Sequence, residues 1–112
     1  MTLMPDAAEV RLEVITEKDF LAQIREAANL LGWAVYHTHD SRRSPEGFPD
    51  LVLLKGRRCV IAEVKTHKGK LTPSQREWLA RWQQVPGVEV YRWRPQHWEA
   101  IVATLKGEAM AK

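Results

Sequence analysis

The spacing of apolar residues predicts seven secondary-structure elements along the chain. Apolar side chains recur at helical intervals in three segments, so we expect helices over about residues 17–31, 73–85 and 96–105. Alternation or short apolar runs predict strands over 33–40, 51–54, 59–65 and 88–93. The order helix, strand, strand, strand, helix, strand, helix is typical of an α/β domain in which helices pack on a mixed sheet.

Two helices carry clear start signals. Thr16 is the predicted N-cap of the first helix, with Asp19 at the third helical position. Thr72 is the predicted N-cap of the second, and Gln75 completes a Thr-x-x-Gln capping box behind Pro73. The second helix is expected to bury a stripe of four residues, namely Trp78, Leu79, Trp82 and Val85.

The second and third predicted strands form a hairpin around Gly56-Arg57, a natural two-residue loop. If the residues flanking this loop pair with each other, Asp50 lies directly opposite Glu63. Alternation along the strand then places Glu63 and Lys65 on the same face. Like charges directly opposite each other destabilise a strand pair, so we expect a compensating divalent cation beside Lys65.

These residues carry a family resemblance. Pro49-Asp50, a spacer of 12 residues and Glu63-Val64-Lys65 resemble the PD-(D/E)xK nuclease signature. Further segments make the chain similar to the virus-type replication-repair nuclease (VRR-NUC) domain over roughly residues 16–95. These segments are Gly32-Trp33, 41–44, 47–51 and 69–75. The resemblance implies a restriction-endonuclease-like fold, a mixed β-sheet flanked by helices in the order αβββαβα.

The chemistry of the central residues suits phosphodiester hydrolysis. Asp50 and Glu63 offer the hard oxygen ligands that Mg²⁺ or Mn²⁺ prefers, and the carbonyl of Val64 could add a third. Lys65 would orient the attacking water or stabilise the charge that develops. The chain contains neither a Cys/His cluster for zinc nor a Gly-rich phosphate loop, so we expect no nucleotide cofactor.

Two more catalytic candidates follow from the resemblance. A glutamate near the start of the first helix joins the active site in the family, and Glu17 matches it; complementing the helix dipole is the alternative role. The family also gives Gln75 a place in the site, although the capping box alone would account for this residue. Glu17 lies on the same helix face as the apolar residues, whereas Glu26 lies on the opposite face.

Positive charge is concentrated in the middle of the chain. Residues 1–41 carry three basic and seven acidic side chains, whereas residues 42–94 carry twelve and five. A basic centre around a metal site suits a polyanionic substrate, although a solvated basic surface is the alternative. The predicted nucleic-acid-binding residues are Arg42, Arg43, His37, Lys68 and Lys70. His37 and His39 share a strand face, which could also mean a metal pair or simple packing.

Length and composition limit the number of domains and the cellular compartment that we expect. The 112 residues suffice for one domain, expected over 16–106 with tails at 1–15 and 107–112. No apolar stretch approaches the roughly 20 residues of a membrane span, and no signal pattern is visible. The single cysteine, Cys59, cannot form an internal disulfide. We therefore expect a cytoplasmic protein of a bacterial or phage-infected host cell.

Together these observations predict a metal-dependent DNA endonuclease. The resemblance implies cleavage of branched DNA, such as a four-way (Holliday) junction, by a homodimer. Three alternatives remain open at this point: a monomeric nickase or flap nuclease, a non-enzymatic nucleic-acid-binding module on the same fold, and an unrelated α/β domain with an exposed Glu63–Lys65 pair.

Overall fold

The computed structural model describes residues 15–38, 43–66 and 68–108, so the predictions for Arg42 and His39 lie outside the described residues. The main elements within these ranges are three α-helices, four strands and a short 3₁₀ turn, joined by loops. In chain order they are α1 (Glu17–Leu30), β1 (Ala34–His37), β2 (Leu51–Lys55), β3 (Arg58–Val64), α2 (Pro73–Gln83), β4 (Val88–Trp93), the 3₁₀ turn Pro95–His97 and α3 (Trp98–Lys106).

The four strands form one mixed sheet in the order β1-β2-β3-β4. β1 and β3 each pair antiparallel with β2, whereas β4 runs parallel to β3. Lys55 pairs with Arg58 and Leu51 with Ala62, which is the predicted hairpin register. One step beyond Leu51, this register sets Asp50 opposite Glu63. The predicted fold class and element order are confirmed.

The two faces of the sheet pack against different helices. α1 and α3 cover one face and enclose most of the core, whose buried residues are Phe20, Ile24, Ala28, Trp33, Leu51, Leu53, Val60, Ala62, Val64, Trp93, Ile101 and Leu105. α2 packs over β3 and β4 on the other face. Ile61 and Glu63 point to that second face, and both are fully buried. β3 is therefore buried on both sides, which is unusual for a strand that carries a glutamate.

The structure corrects three details of the sequence predictions. α2 ends at Gln83, and only Leu79 of its predicted stripe is buried: Trp78 and Trp82 are half-buried, and Val85 lies in the following turn with 44% of its surface exposed. β1 begins at Ala34 because the Trp33 backbone N–H donates to the carbonyl of Ala28 at the end of α1. The last helix is preceded by a separate 3₁₀ turn at Pro95.

Within the described ranges, no helix is long and apolar enough to span a membrane.

Candidate active site

Asp50 is held between two strands at one end of the sheet. Its carboxylate atom Oδ2 accepts a hydrogen bond of 2.9 Å from the backbone N–H of Val64, at the end of β3. Its backbone carbonyl accepts from Thr38 N–H at 3.0 Å, just after β1. The Thr38 hydroxyl also donates to the carbonyl of Pro49 at 3.1 Å. The position of this carboxylate is therefore fixed by backbone pairing on both sides.

Glu63 is a buried carboxylate with unsatisfied bonding capacity. Only 1% of its surface is exposed, and its Oε2 atom has no hydrogen-bond partner in the described part of the chain. Burial first, and then the hydrogen bond and negative charge of Asp50, raise the pKa of Glu63 to about 9. Nearby Lys65 acts in the opposite direction, but it does not offset burial. A buried acceptor of this kind needs a hydrogen-bond or metal partner, and the described part of the chain does not provide one.

Lys65 and Glu17 complete the cluster. Glu17 is the first residue of α1, and its Oε1 atom lies 4.0 Å from Lys65 Nζ. The Lys65 side chain is only 16% exposed, whereas that of Glu17 is 50% exposed. Burial raises the pKa of Glu17; Lys65 lowers it, and the charge of Asp50 raises it further. Three carboxyl groups and one ammonium group thus belong to the same cluster.

The backbone that carries Lys65 is anchored by β4 and the residue after it. Lys65 N–H donates to the carbonyl of Trp93 at 3.0 Å, and Arg94 Nη1 donates to the carbonyl of Thr66 at 2.6 Å. Gly69 N–H also donates to Thr66, and a Cβ atom on Gly69 would lie 3.3 Å from Lys65 Cδ. The side chain of Lys65 is therefore confined on one side by its own loop. Sequence reasoning did not find Arg94, because no local pattern links it to Thr66.

The segment before Asp50 docks on α2. Gly47 has φ +80°, and an added Cβ would lie 2.5 Å from the backbone carbon of Ser74. The ring of Phe48 meets Trp78 edge-on at a centroid distance of 5.1 Å. Trp78 Nε1 donates to the carbonyl of Glu46 at 3.1 Å. The lack of a side chain at Gly47 therefore lets this segment approach the backbone at the start of α2 closely.

Gln75 makes the predicted capping box. Its backbone N–H donates to Thr72 Oγ1 at 3.2 Å, and its side-chain Oε1 accepts from the Thr72 backbone N–H at 2.9 Å. The cap therefore uses the amide oxygen of Gln75. A contact of this side chain with substrate stays a prediction.

A cavity of about 420 Å³ opens beside Asp50, between α1 and the end of β1. Its lining consists of Glu17, Lys18, Leu21, Ala22, Arg25, His37, Thr38, Asp50 and Val64. The predicted DNA contact His37 is therefore next to the carboxylates. Arg43, Lys68 and Lys70 are exposed on the flanking loops and are absent from this lining. Sequence reasoning missed Lys18 and Arg25, although their seven-residue spacing places them on one helix face.

Comparison with known proteins assigns the family. The model of the VRR-NUC domain matches residues 7–110. The chain belongs to the VRR-NUC nuclease family. Among solved structures, it is similar to Hjc, a Holliday junction resolvase from the archaeal hyperthermophile Archaeoglobus fulgidus, with 30% identity and a TM-score of 0.47. That match covers 70% of this chain and 63% of the Hjc chain. No curated protein is significantly similar to the chain.

The oxygen ligands that this VRR-NUC domain offers fit a hard divalent cation that takes few ligands from the protein. Asp50 and Glu63 provide carboxylate oxygens, and the peptide of Val64 borders Asp50 directly. No group of three or more His, Cys, Asp or Glu side chains in the described ranges is arranged to hold a metal. Mg²⁺ usually keeps several waters and takes only one or two carboxylates from a protein, so two carboxyl groups are enough for such a site. A bound cation would also satisfy the orphaned Oε2 of Glu63.

The docking of Gly47 on α2 can be tested against a second glycine of the same conformation. Gly87 has φ +83°, but a Cβ there would meet nothing within 4 Å, so Gly87→Ala should cost only about 1 kcal/mol of unfolding free energy. Gly47→Ala should cost about 3 kcal/mol or more, because backbone must also move. Urea denaturation of the two variants measures the difference. Equal losses would contradict the close approach.

Proposed function

We propose that this VRR-NUC domain is a divalent-metal-dependent DNA endonuclease that hydrolyses phosphodiester bonds at the Asp50–Glu63–Lys65 cluster. One observation carries the proposal: a buried Glu63 with an orphaned oxygen lies beside a second carboxylate and a largely buried lysine. A protein that only binds nucleic acid has no need of two adjacent carboxyl groups, one of them buried, beside a lysine. Membership of a nuclease family supports the same activity.

Each residue of the cluster has a distinct role in the proposed reaction. Asp50, Glu63 and the carbonyl of Val64 would hold Mg²⁺ or Mn²⁺, which neutralises charge on the phosphate and makes a nearby water more acidic. Lys65 donates hydrogen bonds that orient the attacking water and stabilise the negative charge of the transition state. An ammonium group suits this role because it is a compact charge that can reach a single water.

Glu17 is proposed to orient Lys65. Its carboxylate lies 4.0 Å from Lys65 Nζ and is tied to the first turn of α1. The ion pair draws the ammonium group toward the helix and limits its rotation above the carboxylates. Positioning of a catalytic group to within a fraction of an ångström has large effects on rate, so loss of this contact should be visible in kinetics.

Cleavage assays test the activity and separate the two main roles. The assay offers the protein linear, flapped, single-stranded and four-way DNA in the presence of Mg²⁺ or Mn²⁺. We expect the protein to cut DNA under these conditions. Lys65→Ala should abolish cleavage but keep Mn²⁺ binding in calorimetry, whereas Asp50→Ala should weaken both. Lys65→Ala protein that cuts at the wild-type rate would refute the mechanism. DNA binding without cleavage under every metal condition would favour the non-enzymatic alternative.

Glu17 and Glu26 form a matched pair on α1. Glu26 is exposed and absent from the cavity lining, whereas Glu17 contacts Lys65. Glu17→Gln should lower the cleavage rate about tenfold, equivalent to about 1.4 kcal/mol of barrier. Glu26→Gln, which removes the same charge from the same helix, should stay near the wild-type rate. Single-turnover rates decide the ranking, and the reverse order would refute the orienting role.

We further propose that two copies of the chain act together on branched DNA such as a four-way junction. One domain carries one cluster and cuts one strand per visit, so paired cuts require a second copy, and twofold symmetry is the commonest arrangement. Light scattering should give twice the 12.9 kDa mass of one chain, and junction cleavage should yield paired nicks. A monomer that nicks flaps and leaves junctions intact would replace this assignment with the nickase alternative.

A further inference from the structure

The cavity beside Asp50 continues away from the cluster along one face of α1. Asp50 and Val64 line its inner end, and Arg25 lines it from the second turn after Glu17. Arg25 follows Glu17 by eight residues, which corresponds to about 12 Å along the helix axis. A ligand in this cavity can therefore touch the cluster at one end and Arg25 at the other.

Arg25 carries a buried hydrogen-bond donor that has no acceptor in the described ranges. Its Nε atom is buried and has no hydrogen-bond partner in the part of the chain that the structure describes. A buried donor without an acceptor destabilises the folded protein. The side chain lies half-buried along the cavity wall, so an acceptor that enters the cavity can reach the guanidinium group. Phosphate oxygens suit it best, because they match the planar fork of arginine.

The cavity itself favours a nucleic-acid strand as its occupant. Lys18 adds a second cation on the same helix face, seven residues before Arg25. Leu21 and Ala22 form an apolar surface between these two cations. A strand of DNA presents one phosphate per about 3.4 Å of helix axis, so it can place several charges over the length of this face.

We propose that Arg25 binds a backbone phosphate of the strand being cut, a few nucleotides from the scissile phosphate. The inference rests on the proposed nuclease function, since the position of the strand is defined by the Asp50–Glu63–Lys65 cluster. Arg25 is a positioning residue: it does not reach the reacting atoms, but it fixes the register of the strand over them. Phosphate contacts of this kind set orientation without reading sequence.

Binding measurements test this contact with a charge-matched control. In a Lys65→Ala background, fluorescence anisotropy on a four-way junction compares Arg25→Ala with Arg57→Ala. Arg57 is exposed in the hairpin turn, at the opposite end of β2 from Asp50. Arg25→Ala should raise Kd about tenfold and lower the slope of log K against log salt by about 0.9, the loss of one phosphate contact. Arg57→Ala should change Kd less than about twofold. Equal effects of the two variants would overturn the inference.

Neutral phosphate analogues locate the contact on the strand. A methylphosphonate at one position near the cut should weaken DNA binding by the protein that keeps Arg25. The same DNA modification should not weaken binding by the Arg25→Ala variant any further. Arg25→Lys, which keeps the charge but loses the fork, should restore binding only in part. Equal losses at every position for both proteins would refute a specific contact. Circular dichroism and melting temperature check that each variant is folded.

The outcomes separate this inference from the function on which it rests. If the wild-type chain cuts DNA and Arg25→Ala matches it in Kd, salt slope and single-turnover rate, only the Arg25 contact is refuted. If the wild-type chain neither cuts nor binds DNA in Mg²⁺ or Mn²⁺, the nuclease proposal fails and the Arg25 contact fails with it.

Discussion

The hydrogen bond between the Asp50 carboxylate and the Val64 backbone N–H is the contact on which the site depends. It joins Asp50, the residue before β2, to Val64, the last residue of β3, and it exists only in the register that the Gly56-Arg57 turn imposes. A shift of one residue would turn Glu63 to the opposite face of the sheet, among the apolar side chains beneath α1. The pairing that closes the sheet thus also brings two carboxylates together.

This arrangement is costly for an unliganded protein. Glu63 is buried beside a like charge, and its pKa is raised to about 9 by burial and by Asp50, so in the absence of a cation it holds a proton at neutral pH. Strands β2 and β4 pair with β3 on either side and keep the glutamate in place despite this cost. A carboxyl pKa that burial and a neighbouring charge raise this far is characteristic of functional sites. A divalent cation would remove the cost that the fold imposes.

The remaining elements arrange groups around this rigid pair. α1 brings Glu17 to within 4.0 Å of Lys65, and Arg94 ties down the loop that follows Lys65. α2 is held close because Gly47 leaves no side chain between the two backbones. Since strand pairing holds Asp50 and Glu63, whereas Lys18 and Arg25 lie on α1, small movements of α1 would shift these two cations without disturbing Asp50 and Glu63.

The sequence by itself determined the local features of this protein. The hairpin register follows from a two-residue turn and the helix caps follow from side chains three residues apart, while the Asp50–Glu63–Lys65 convergence follows from that register and from period-two alternation along a strand. Each depends on neighbours a few residues apart or on one short turn, so a linear pattern suffices. The same reasoning found Glu17 only with the help of the family resemblance, because nothing local connects it to Lys65.

Only the tertiary structure decided which distant residues share a surface. The exposure of Val85, the docking of Gly47 on α2, the bond from Arg94 to Thr66 and the cavity wall at Arg25 all depend on how helices pack on the sheet. Helical periodicity gives the face of a side chain, but the packing partner sets whether that face meets core, solvent or substrate. These contacts join residues far apart in the chain, so the spacing of residue types along the sequence does not predict them.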